Sequence, residues 1–189
     1  GQVTVDGVTR ILPKPFTVIA TQNPVGSAGT QMLPESQLDR FMIKLSMGYP
    51  DPASEIAILK DRQGANPLND VKQVVDGKDI VMMQAETDNL HMDDAIIEYI
   101  TMLSFATRQN PLIELGVSPR GSIALAGMSK AKAYISGRTY VTPEDVQSIF
   151  KDVAGHRIIL NPRAKISSVT IDEVIDNIFR TVPVPRAMR

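Results

Sequence analysis

The sequence predicts an α/β segment, a hairpin plus parallel-sheet strands, followed by an all-α helical domain. Three observations carry that expectation. Asp6-Gly7 sits between two short β-rich runs, Phe16 to Thr21 is nearly all apolar or β-branched, and apolar residues recur with helical spacing from about residue 52 onward. The boundary falls in Tyr49-Pro50-Asp51-Pro52, which divides the chain into residues 1–50 and 51–189.

In the hairpin, Val3 and Val5 precede Asp6-Gly7, and Val8 and Ile11 follow it. Both turn residues must tolerate positive φ, which makes Asp-Gly a strong hairpin signal. Pro13 and Pro15 close this unit. The run Phe16-Thr-Val-Ile-Ala-Thr21 suits a strand covered on both faces, as in a parallel sheet. Glu35 to Phe41 reads as a short helix and Phe41 to Met47 as another strand. Beyond the boundary, Asp93 to Arg108 and Pro119 to Ser136 are long and amphipathic. Val146, Ile149, Phe150 and Val153 fall at i, i+3, i+4, i+7, and Val174, Ile175, Ile178, Phe179 and Val182 repeat the pattern. Ser118-Pro119 and Thr142-Pro143 each place a hydroxyl before a first-turn proline. Thr170 with Glu173 fits a capping box, and Gly116 and Gly137 read as terminators.

Composition narrows the function. Of 189 residues, 43% are apolar and 22% charged, which is globular rather than disordered. Twenty basic against twenty-one acidic side chains argue against nucleic acid or an anionic membrane as partner. There is no cysteine, and His91 and His156 are the only imidazoles, so no metal site is expected. No apolar run approaches the roughly 20 residues of a membrane helix. The chain begins at Gly1 without an initiator methionine, inside a strand-like run, and reads as a piece of a longer protein.

Three residues are candidates for chemistry. Asn23 lies just past the end of the apolar strand, where ligands bind in open α/β sheets. Its amide can orient a water or touch a phosphate, or it can simply make an Asn-Pro turn. Arg40, in Leu38-Asp39-Arg40-Phe41, can stabilise charge on a transferring phosphoryl group, or it can make a surface ion pair. Arg120 occupies the second position of a helix, where a cation opposes the dipole. An anion at that helix start would relieve the conflict. The alternative is a solvated arginine paired with a carboxylate. The stretch Ser168 to Glu173 faintly resembles a magnesium-binding strand end, but Thr170 and Glu173 read better as a helix cap. No G-x-x-x-x-G-K-[ST] phosphate loop and no G-x-S-x-G nucleophile elbow occur.

Taken together, these stretches resemble the MoxR family of AAA+ ATPases. Val3 to Arg10, Pro15-Phe16 and Ile19-Ala-Thr-Gln-Asn-Pro24 look like the family's pre-sensor hairpin and sensor 1 strand. Leu33-Pro-Glu-Ser-Gln-Leu-Asp-Arg-Phe41 looks like its arginine-finger segment, and Gly48 to Pro52 like the exit into the lid. Gly116-Val-Ser-Pro-Arg120 is similar to the sensor 2 motif, and Gly137 to Val146 and His156-Arg157 to lid stretches. The resemblance implies an α/β remnant of a P-loop core followed by a helical lid. It implies that Asn23 is sensor 1, polarising the attacking water. It implies that Arg40 is an arginine finger reaching a neighbouring subunit's nucleotide. Arg120 would be sensor 2, contacting ATP phosphate, with its action within or between subunits left open.

The resemblance also implies a cytoplasmic homo-oligomer, usually a hexamer, that uses ATP and Mg2+ for chaperone-like remodelling of a protein partner. A von Willebrand A domain protein is a common partner in the family. The Walker A and B motifs are not in this sequence, so the chain alone is expected neither to bind ATP tightly nor to hydrolyse it. The rival expectation is a non-enzymatic helical adaptor module. Gly121 departs from the family pattern, which leads one to expect alanine after the sensor 2 arginine.

Overall fold

The computed structural model describes residues 1–22, 33–63 and 66–185. Two compact units are present: residues 1–19 with 45–84, and residues 20–44 with 85–189.

The first unit opens with the hairpin. β1 (Gln2–Val5) pairs antiparallel with β2 (Val8–Ile11) in the register Gln2↔Ile11 to Val5↔Val8. Asp6 and Gly7 carry the positive φ values, +51° and +76°, that a two-residue turn of this hand requires. α2 (Pro52–Asp61) starts at Asp51, whose carboxylate accepts from Ser54 N–H at 2.7 Å. That bond holds the Asp51 carboxyl below its ordinary pKa, as an N-cap acceptor should. A short 3₁₀ turn covers Pro67–Asp70. α3 (Gly77–Asp88) runs from the first unit into the second.

The second unit holds α1 (Glu35–Leu38) and the helices from residue 94 onward. These are α4 (Asp94–Gln109), α5 (Pro119–Ile135), α6 (Pro143–Ala154), α7 (Pro162–Ile166) and α8 (Ile171–Thr181). β3 (Ile113–Leu115) pairs antiparallel with β4 (Ile159–Leu160). α5 packs most extensively against α6, and α4 packs on α5, α6 and α8. Their inward faces and the loop residue Val117 supply the core: Leu103, Val117, Leu125, Val146, Phe150, Val153, Val174 and Ile178 are all essentially inaccessible to solvent. Phe150 meets Phe179 edge-on, with centroids 5.3 Å apart and planes at 65°. Burying an aromatic side chain of this size contributes about 1.5–3 kcal/mol.

The helix ends follow the sequence signals. Ser118 Oγ accepts from Gly121 N–H at 3.2 Å. Thr170 Oγ1 accepts from Glu173 N–H at 3.2 Å while Glu173 accepts from Thr170 N–H at 2.8 Å, completing a capping box rather than a metal-binding strand end. At α6 the carboxylate of Asp145 accepts from Thr142 N–H at 2.9 Å. α5 ends with Gly137 at φ +72°, donating to Tyr134 O at 2.9 Å, and Arg138 N–H donating to Ala133 O at 3.0 Å. That pair of bonds is a Schellman stop, and glycine is the residue it favours.

Two expected strands are not formed. Phe16–Thr21 and Phe41–Met47 carry no regular secondary structure. A strand buried on both faces needs hydrogen-bonded neighbours at its edges, and among the described residues the sheets are β1–β2 and β3–β4 alone. Val18 and Ile19 are accordingly exposed, Ile19 to 88%. The second stretch is tied instead to a helix, through Lys44 N–H donating to Asp152 O at 2.9 Å.

Candidate functional site

Two sequence-distant segments of the second unit converge on one carboxylate, that of Asp39. α1 is little more than one turn, closed by Asp39 N–H donating to Glu35 O at 3.0 Å and Phe41 N–H to Leu38 O at 3.0 Å. Leu38 and Phe41 are half-buried and anchor the segment. Between them Arg40 is exposed, whereas the Asp39 side chain is only 25% exposed.

The opposing segment is Gly116-Val117-Ser118. Thr107 Oγ1 accepts from Val117 N–H at 2.9 Å, and Arg108 Nε donates to Val117 O at 2.8 Å. This pins the loop against the last turn of α4. Gly116 is required by that approach, since a Cβ there would lie 2.8 Å from Arg108 N and Thr107 Oγ1. Ser118 is thereby fixed as the N-cap of α5. Its Oγ donates to the Asp39 carboxylate, 3.0 and 3.2 Å from the two oxygens, while accepting from Gly121 N–H.

Arg120 is the second residue of α5, and its Nη1 is 3.4 Å from Asp39 Oδ2. Its side chain is 57% exposed, so this long contact contributes at most about 1 kcal/mol. The carboxylate at the start of α5 offsets the cation at its second position. Of the two sequence readings of Arg120, the structure shows pairing with a carboxylate, and that carboxylate sits where a helix-start anion would.

The third donor to Asp39 was visible in the sequence only as part of a family-like stretch. Arg157, just past α6, has a side chain 2% exposed. Its Nε donates to Asp39 Oδ1 at 3.1 Å, its Nη2 to Asp39 O at 3.1 Å and to Phe41 O at 2.6 Å, and its Nη1 to Met42 O at 3.3 Å and to Val153 O. Burial pulls the Arg157 pKa down, and the Asp39 charge and hydrogen bond push the other way. Beside it, His156 Nε2 is 3.2 Å from Phe41 O, and its Nδ1 is buried with no hydrogen-bond partner among the described residues. Burial, then the Arg157 charge, lower the His156 pKa.

Gly121 explains its own departure from the expected alanine. A Cβ on it would stand 2.6 Å from Val117 Cγ1 and 2.9 Å from Arg157 Cδ. The space an alanine methyl would take is occupied by the Val117 side chain and the arginine stem.

The three sequence candidates are thus distributed unevenly. Arg40 is adjacent to Asp39 but makes no ion pair with it; Asp39 is taken by Arg157, Ser118 and Arg120. Arg120 joins the Asp39 cluster, and Asn23 lies outside the described residues. Among the described residues no group of three or more His, Cys, Asp or Glu is placed to hold a metal ion. No described helix is long and apolar enough to cross a membrane.

Comparison with known proteins bears on both halves of this arrangement. Residues 1–43 match the ATPase family associated with various cellular activities (AAA), and residues 105–178 match the AAA lid domain. Protein YeaC of Bacillus subtilis is 43% identical over 98% of this chain and 58% of its own length. Chaperone MoxR1 of Mycobacterium tuberculosis is 34% identical over 97% of this chain and 51% of its own. A crystal structure of a candidate ATPase from Cytophaga hutchinsonii superimposes with a TM-score of 0.88 at 34% identity, covering 98% of this chain and 59% of that one. The chain therefore spans little more than half the length of these relatives. With AAA matches in both segments, MoxR relatives along nearly the whole chain and the same fold, the chain is similar to the MoxR family of AAA+ ATPases.

Proposed function

We propose that this chain is the sensor and lid portion of an ATPase that couples ATP hydrolysis at subunit interfaces to chaperone-like remodelling of a protein partner. One observation carries the reading: Asp39 and Ser118, 79 positions apart, are hydrogen-bonded, and Arg120 pairs with the same carboxylate, which ties the segment of the finger candidate Arg40 to the helix start that carries the sensor candidate Arg120. A guanidinium beside an anion held at a helix start suits a phosphate-facing surface. In this reading residues 1–50 close the nucleotide core and residues 51–189 form the lid.

ATP and Mg2+ would supply the phosphoryl chemistry. The residues present fit the phosphate end of that group, because the start of α5 already holds an anion. In use, Arg120 exchanges Asp39 for a phosphate oxygen. Arg40, exposed and outside the Asp39 cluster, presents its charge across the subunit boundary. Asn23 orients water. Hexameric assembly, a von Willebrand A domain partner and a cytoplasmic location belong to the same proposal, as does inactivity of the chain without a phosphate loop.

The test is ATP turnover by the protein with its upstream nucleotide-binding residues in place, measured across protein concentration. Arg40→Ala is expected to lower turnover by roughly 10³–10⁵ while ATP binding is retained. Turnover unaffected by that substitution would favour the adaptor reading. Micromolar binding of Mg-ATP to the 189-residue chain, seen by calorimetry, would overturn the claim that the chain alone is inactive.

A further inference from the structure

We propose that Arg157 is a positioning residue that sets the backbone carrying Arg40, an inference that rests on the finger reading above. A guanidinium has five N–H donors in a fixed plane. Here all five are spent, and four of them go to residues 39–42: Asp39 Oδ1, Asp39 O, Phe41 O and Met42 O. The fifth goes to Val153 O in the last turn of α6. The group therefore joins the end of α6 to the segment on which Arg40 sits.

A buried arginine that served only the core would find its acceptors on core elements. Three of the five acceptors of Arg157 are instead carbonyls of a stretch with no regular secondary structure past α1. A carbonyl in such a stretch has no ladder or helix partner of its own, so the guanidinium decides where the backbone lies. His156 adds its Nε2 to the Phe41 carbonyl, and Asp152 O takes Lys44 N–H. The stretch from 39 to 44 is thus fixed at both ends to residues 152–157. Only the Arg40 side chain is left exposed between the anchors Leu38 and Phe41. Gly121 supports the arrangement from behind, since a Cβ there would approach Arg157 Cδ to 2.9 Å and Nε to 3.2 Å.

The consequence is mechanical. Arg157 and Ser118 hold the same carboxylate, so the Arg40 backbone and the start of α5 move as one body. A displacement of Arg120 on meeting phosphate then moves Arg40 with it.

Lysine at this position keeps the charge but offers one nitrogen in place of a planar fork, and it cannot serve four acceptors on residues 39–42. Arg157→Lys is expected to speed amide exchange at Phe41 and Lys44 in the 189-residue chain by about tenfold or more, with the amides of α5 and α6 unchanged. In the protein with upstream nucleotide-binding residues present, the same variant is expected to lose kcat on the order of 10²-fold at unaltered KM. It should add nothing further on top of Arg40→Ala. If Arg157→Lys does not fold, Gly121→Ala displaces the guanidinium from the other side and is read by the same measurements. Unchanged exchange at Phe41 and Lys44, or losses from the two substitutions that multiply, would overturn the positioning role while leaving Arg40 as a finger. Wild-type turnover in Arg40→Ala would instead remove the finger reading and the proposal built on it.

Discussion

The two compact units share a composition but not a core. In the first, residues 1–19 and 45–84, no described residue is buried: Ile11 is 87% exposed, Val74 92%, and Ile56, Ile58 and Leu59 of α2 all exceed half. In the second, every helix from α4 to α8 buries part of itself, and Val146, Phe150 and Val153 are fully enclosed. Both units have β-branched and aliphatic residues at regular spacing. The difference teaches that periodicity shows which face wants covering, whereas the partner element decides whether it is covered within the same chain. Apolar surface of the density seen in the first unit marks a contact face.

The comparison breaks most severely in the second unit. Phe150→Ala removes a fully buried ring that packs against Phe179, and is expected to cost about 3–5 kcal/mol in denaturant unfolding. A loss under about 1 kcal/mol would mean that the helical core does not carry the stability. Asp145→Ala comes next. Its carboxylate is 4% exposed and takes Arg138 Nη1 at 2.7 Å as well as Thr142 N–H. Burial alone would raise the Asp145 pKa, but Arg138 and the Thr142 amide outweigh it and hold it below the ordinary value. Removing the acid strands a half-buried arginine, and about 3 kcal/mol should be lost. An unfolding midpoint equal to wild type would show that water replaces the carboxylate without cost.

This division also explains what the sequence made legible. Helices α4, α5, α6 and α8 were readable because local signals, a cap at one end and an apolar stripe between, agree with their tertiary setting. The hairpin was readable because Asp6-Gly7 admits few other conformations. Phe16–Thr21 departs from the expected strand because an apolar run reports only that two faces want covering, and its covering elements are not local. Around the cluster, Arg40 and Arg120 are candidates that local setting and resemblance offer. Asp39 was seen only as one half of a charge pair with Arg40, and the structure gives it Arg157 instead. Nothing local couples residue 39 to residue 157.

A smaller effect sharpens the account of the second unit. His156 has a folded pKa below its ordinary 6.5, so the unfolded chain binds the extra proton first as the solution is acidified. Its contribution is then whole above about pH 6.5 and is lost as pH falls below that value, by at most about 1.4 kcal/mol per pH unit. Protonation would set a second N–H on Nδ1, which has no partner among the described residues, beside the charges of Arg157 and Lys44. Urea midpoints between pH 7.5 and 5.5 should fall in wild type and flatten in His156→Gln. Parallel slopes in the two proteins would assign the pH dependence elsewhere.

The smallest expected effect tests the first unit. Ile11 ends β2, is paired across the hairpin with Gln2, and is 87% exposed. Threonine keeps the β-branched shape, so Ile11→Thr should change unfolding free energy by less than about 0.5 kcal/mol. The value of so small a number lies in its failure. A loss above about 1 kcal/mol would mean that Ile11 is covered in solution. Repeating the measurement over a hundredfold range of protein concentration then separates the cases. A midpoint that rises with concentration makes the cover a second copy, because only association makes stability depend on concentration. A constant midpoint places the cover within the chain and removes the contrast between the two units.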